Sequence, residues 1–163
     1  GPSALAANPK VRPVLVKQGV LGARRDMLVS PQHGIFLPGA DHLARAVHLA
    51  RCCSGIRTAN GKREVTYYHL MFASHQIIFG DGVPSESFYP GDLALRALLP
   101  QARMSIHATF PEAAGPNFAS AYGPRAHPFL TARQCRALIQ SRPALVTTTG
   151  VPRPDWSHHG ILA

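Results

Sequence analysis

"ASHQIIFGDGVPSES", residues 73–87, is the stretch on which the fold turns. Its first part, "HQIIFGDGV", reads as a strand of β-branched and aromatic residues ending at Gly80-Asp81-Gly82. Upstream, "ANGK" at 59–62 is an Asn-Gly turn of the kind that joins hairpins. It feeds "REVTYYHLMF", the strongest strand signal in the chain, so a β-hairpin or meander is expected over 64–84. His75 lies inside this block, with Ser85 and Ser87 close behind Pro84. Taken singly, a strand histidine is a satisfied polar residue more often than a catalyst, and the serines are ordinary turn formers.

Further upstream, "VRPVLVKQGVLG" at 11–22 predicts a strand and a turn, from Val14, Val16 and the glycines Gly19 and Gly22. "MLVSPQHGIFL" at 27–37 sets a polar Ser-Pro-Gln-His island between two short apolar runs, each a strand candidate. Pro31 has no amide hydrogen, so the chain must leave a regular ladder there. "ADHLARAVHLAR" at 40–51 is compatible with one or two helical turns.

After residue 90 the periodicity changes from two to about 3.6. "GDLALRALL" at 91–99 predicts a helix with Asp92 as its N-terminal cap, and "LTARQCRALIQSR" at 130–142 a second. In that second helix Thr131 is the cap, and Cys135, Leu138 and Ile139 share a face. Between the two lies a Pro/Gly-rich connector at 108–128, and the tail from Pro143 onward is expected to dock loosely.

The 163 residues suffice for one domain with a real core. Charged residues make up 15% and hydrophobic ones 45%, a globular rather than a disordered balance. Seventeen lysines and arginines against eight acidic residues give a net charge of +9, which favours anionic partners. The cations are mostly arginines scattered singly, as at Arg45, Arg51 and Arg57, with only Arg24-Arg25 and Lys62-Arg63 as pairs and no interleaved aromatics. No specific nucleic-acid site is therefore expected, although a basic β-domain that binds nucleic acid remains a minor alternative. Cys52, Cys53 and Cys135 suggest neither a disulfide framework nor a metal site, and read as buried or idle thiols. The nine histidines show no metal-ligand spacing, so neither a metal nor a cofactor is expected; His158-His159 could hold metal adventitiously. No run approaches the roughly 20 apolar residues that span a bilayer.

Taken together, "RPVLVKQGVLGARRDMLVSPQHGIFL" at 12–37 and "YYHLMFASHQIIFGDGVPSESFYPG" at 67–91 resemble bacterial Hint domains of the hedgehog/intein superfamily. The resemblance covers about residues 4–140, including "AYGPRAHPFL" and the helix beyond it. It implies a mostly β Hint horseshoe, present in its later strands, with a C-terminal α-helical extension. The implied divisions are 4–89 for the C-terminal part of the Hint domain, 90–142 for the extension and 143–163 for the tail. It also implies an exported bacterial multidomain protein.

The activity implied is autoprocessing: the peptide bond before a Cys or Ser rearranges to a thioester or ester. Amide resonance resists that step, so the leaving nitrogen needs a proton donor. In this resemblance His33 is the general acid at the scissile nitrogen, and Ser30 orients the backbone where the family carries Thr. An imidazole suits the task because it exchanges protons near neutrality. His75 assists acyl transfer or polarises the scissile region. Asp81 lies near the same loop, and Ser87, standing where hedgehog-type sequences carry Cys, acts as a hydrogen-bonding residue. Inteins close this block with His-Asn and a nucleophile, whereas here Glu86-Ser87 is followed by Phe88. Cleavage or acyl transfer at the N-terminal junction is therefore expected rather than splicing. "ALAANPKVRPV" resembles an internal segment of the family, so the nucleophile is expected from an N-terminal flanking polypeptide or a separate chain, and residues 1–163 alone are expected to be inert. The alternative within the family is a degenerate Hint-like module with a structural or interaction role.

Overall fold

Short alternating runs punctuated by Gly and Pro become seven short strands in the computed structural model, which describes residues 12–62, 65–111, 115 and 118–147. They are β1 (Val14–Val16), β2 (Met27–Val29), β3 (Gly34–Leu37), β4 (His42–Arg45), β5 (Ile56–Thr58), β6 (Ile77–Gly80) and β7 (Val83–Glu86). Helices α1 (Ala46–Leu49), α2 (Asp92–Ala97), α3 (Pro100–Thr109), α4 (Phe118–Tyr122) and α5 (Ala132–Ser141) complete the set, four of them in the C-terminal part. One sheet has the order β2-β1-β5 and the other β4-β3-β7-β6. Pairing is antiparallel, with Leu15 opposite both Leu28 and Arg57 in the first sheet. In the second, Ile35 stands opposite Ala44 on one side and Ser85 on the other.

The chain forms two compact units, each discontinuous in sequence. Among the described residues, the first comprises 12–62, 65–67, 79–85 and 127–147, and the second 68–78, 86–111, 115 and 118–126. The first unit holds the apolar core. Val14, Val16, Leu21, Ile35, Leu37, Leu49, Ile56 and Val83 are at most 2% exposed, each contributing about 1.5–3 kcal/mol of transfer free energy. Gly22 and Gly82 both have positive φ, and their backbones approach so closely that a Cβ on either would strike the other's carbonyl oxygen. Only glycine meets both demands. The segment around Phe129 covers the free edge of β4: Leu43 donates to the Pro128 carbonyl and accepts from Leu130, and the Arg45 guanidinium lies over the Phe129 ring.

Helix α5 follows the sequence closely. Thr131 accepts from the Gln134 amide while the Gln134 side chain accepts from the Thr131 amide, a complete capping box. Cys135 and Ile139, one turn apart, enter the core. Val146 beyond it is also buried, so residues 143–147 of the tail are docked in this unit; residues 148–163, with His158-His159, lie outside the described residues, as do 1–11.

Several expectations are corrected. "REVTYYHLMF" forms no strand over its described residues 65–72, and the hairpin is β6–β7 instead. β-propensity expresses how side chains fit a half-buried pleated surface. Here Tyr68 is 88% exposed and Leu70 57%, while the Leu70 and Phe72 carbonyls accept from Phe88 and from the Tyr122 hydroxyl. Residues 42–45 are strand β4 before α1 begins, because Leu43 and Ala44 complete the ladder on β3. Asp92 is not the cap of α2: Gly91 holds that position and Asp92 sits in the first turn. The expected connector contains the end of α3 and all of α4. No helix among the described residues is long and apolar enough to cross a membrane.

Candidate functional site

The Ser-Pro-Gln-His island is the crossing from one sheet to the other, since β2 belongs to the first and β3 to the second. The His33 amide donates to the Ser30 carbonyl at 3.1 Å, closing a β-turn with Pro31 at its second position, where a fixed φ is favourable. The Gln32 amide donates to the Ser30 hydroxyl oxygen at 3.3 Å. The turn is also anchored from outside: Ala46 donates to the His33 carbonyl and Val47 to the Pro31 carbonyl, each at 2.9 Å. These amides open α1 and would otherwise lack helical partners. Pro31 is buried, and Ser30 and His33 are half-buried. The backbone that carries His33 is thus fixed on four sides by hydrogen bonds that use no ring atom.

His75 is held in another way. Its side chain is fully buried in the second unit. The Ala126 amide donates to Nδ1 at 2.9 Å, so the ring proton is on Nε2, which donates to Glu86 at 3.2 Å. Glu86 also takes the Arg125 guanidinium at 3.1 Å, and that guanidinium lies 3.9 Å from the centre of the Tyr89 ring. Tyr89 meets the His75 ring edge-on and anchors its own hydroxyl on the Gly123 carbonyl. Both nitrogens of His75 are engaged within its own unit, so the residue orients its neighbours.

Asp81 and Gly82, both at positive φ, are the two central residues of the β6–β7 turn, the requirement of a tight hairpin. Asp81 also pairs with Arg25 at 2.9 Å, and its carbonyl accepts from the Arg24 amide. Ser87 is buried, and its hydroxyl accepts from the Gln76 amide at 3.1 Å. Ser30, His33 and Asp81 therefore belong to the first unit, and His75 and Ser87 to the second.

Glu86 and Arg125 were not singled out from the sequence as partners of His75. A signal for Glu86 existed in the Asp81-Gly82 turn. A two-residue loop pairs Gly80 with Val83 and hence Gln76 with Ser87, the hydrogen bond observed, which sets Glu86 diagonal to His75. Arg125 had no comparable local signal. Among the described residues, no group of three or more His, Cys, Asp or Glu side chains is arranged to hold a metal ion.

Residues 1–92 match the family model described as a Hint domain, a range that contains Ser30, His33, His75, Asp81 and Ser87. No match is found among curated proteins or among solved structures. The matched range is more than half of the 163 residues, and the chain belongs to the Hint domain family.

Proposed function

We propose that this Hint domain is an autoprocessing module, which promotes an N-to-S or N-to-O acyl shift at a Cys- or Ser-led junction and cleavage there. The observation that carries the reading is the Ser30–His33 turn, in which α1 fixes the backbone of a half-buried histidine. In the shift the nucleophile gives its S–H or O–H proton to solvent as its sulfur or oxygen bonds to the scissile carbonyl carbon, the C–N bond breaks, and the departing nitrogen gains a proton. His33 gives that proton, and a positioned acid of this kind is worth about 10²–10⁴-fold in rate. Ser30 holds the turn. His75 acts as a positioning residue, keeping Glu86, Tyr89 and the Ala126 amide in place within its own unit. The nucleophile-bearing segment comes from the flanking polypeptide or from a second chain, of an exported bacterial protein in this reading.

The test is to express the chain behind its natural upstream sequence and follow cleavage by mass spectrometry, with and without added thiol. Cleavage should be accelerated by thiol and fall at least a hundredfold in His33→Ala. Efficient cleavage that persists in His33→Ala would overturn the role given to that residue. The engagement of both His75 nitrogens favours a second reading, a Hint-fold module with an interaction role. Intact mass under all these conditions would select it.

A further inference from the structure

A cluster of thiols lies in the first unit, formed by residues to which the processing reading gives no role. Cys52 Sγ stands 4.0 Å from Cys53 Sγ and 4.0 Å from Cys135 Sγ, although 83 residues separate Cys52 from Cys135. Cys52 follows α1 and Cys135 lies within α5, so the cluster is where these two helices meet. All three cysteines are free thiols; Cys52 is half-buried, and Cys53 and Cys135 are buried.

We infer that Cys52 and Cys135 form a redox-modifiable dithiol, which a low-molecular-weight disulfide converts to an internal disulfide joining α1 to α5. Cys52, as the thiol nearest solvent, attacks one sulfur of the small disulfide; that S–S bond breaks, a mixed disulfide forms on Cys52, and one small thiol leaves. Cys135 then loses its proton to solvent and attacks the Cys52 sulfur, releasing the second small thiol. Two protein thiols are oxidised and one small disulfide is reduced to two thiols.

The geometry selects Cys135 over Cys53 as the resolving thiol. Neighbouring cysteines bond only if the peptide between them is distorted from its planar trans form. That peptide is fixed, because the Cys52 and Cys53 amides both donate to the Leu49 carbonyl, at 3.0 and 2.8 Å. The Cys52–Cys135 pair carries no such constraint, because its sulfurs, 4.0 Å apart, come from residues 83 positions apart. Burial pushes the Cys135 thiol up to about 12, so it is protected from direct attack and reacts once Cys52 carries the leaving group.

The experiment treats the full 163-residue chain with oxidised glutathione and maps it without reduction. Trypsin releases residues 52–57 and 134–136 as separate peptides, so a bond between them is a single new species. The expected result is that linked pair, retained in Cys53→Ser and lost in Cys52→Ser, with a melting temperature several degrees higher than in the reduced chain. Cys135→Ala should instead keep a glutathione adduct on Cys52. If that variant does not fold, the map of the unaltered chain and of Cys53→Ser decides alone. A bond within residues 52–57, a link through Cys53, or Cys135 still alkylatable when Cys52 is fully modified would each overturn the inference. None of these outcomes depends on whether the chain processes itself.

Discussion

Two histidines of this chain are held by opposite means. His33, a half-buried residue, belongs to a turn whose backbone is hydrogen-bonded to Ser30 within the turn and to Ala46 and Val47 of α1. His75 sits in irregular chain before β6, and it is the ring that is committed, to Glu86 on one nitrogen and the Ala126 amide on the other. The first arrangement fixes a histidine through its backbone. The second fixes one through its ring. The difference teaches that burial and hydrogen bonding, which identify an important histidine, do not by themselves identify a reactive one.

The sharpest way to break the comparison is to remove each ring. His75→Ala should cost about 3 kcal/mol of unfolding free energy, through a cavity and a Glu86 carboxylate deprived of a donor. Urea titration checks this, and a loss below about 0.5 kcal/mol would contradict the structural role. His33→Ala should act on the proposed cleavage, slowing it at least a hundredfold. A smaller effect is expected at Ser30. Its hydroxyl accepts one local amide hydrogen bond, so Ser30→Ala should cost about 0.5–1 kcal/mol and loosen the turn. In the cleavage assay that variant should slow the reaction about tenfold, equivalent to about 1.4 kcal/mol of barrier. Ser30→Thr should restore it, because the hydroxyl that accepts the Gln32 amide is kept.

How far each region could be read in advance follows from the range of its interactions. The island at 30–33 was legible because Pro31 and the flanking apolar runs are local signals, as was Thr131 as the cap of α5. The Hint assignment came from two blocks whose turn residues and spacing the backbone itself requires, Gly82 among them. Strand formation over 65–72 failed as a reading because a ladder needs a partner, and no propensity in "TYYHLMF" says whether one is present. β5 went unnoticed for the converse reason: "IRT" is too short to declare itself, and pairing with β1 makes it a strand. The approach of Cys52 to Cys135 and of Arg125 to Glu86 joins distant parts of the sequence, so composition suggested idle thiols and a loop arginine.

The smallest of the expected effects concerns the helix on which the His33 turn rests. His48 lies in α1, and its Nδ1 is buried without a hydrogen-bond partner among the described residues. Burial lowers its pKa below the usual 6.5, and the charges of Arg45 and Arg51 lower it further. Near pH 6.5 and below, the unfolded chain therefore binds more protons at this position than the folded one. The contribution to stability is constant well above that pH, shrinks as pH falls through it, and levels off once the folded-state pKa is passed. Urea midpoints at pH 7.5 and 5.5 should differ more in the unaltered chain than in His48→Leu, which carries no proton there and leaves no orphaned nitrogen. An identical difference in both would show that the acid sensitivity arises elsewhere. In the expected case, the His48 contribution to stability is fully present at neutral pH and above, and is lost over the same pH range in which an ordinary imidazole becomes an acid.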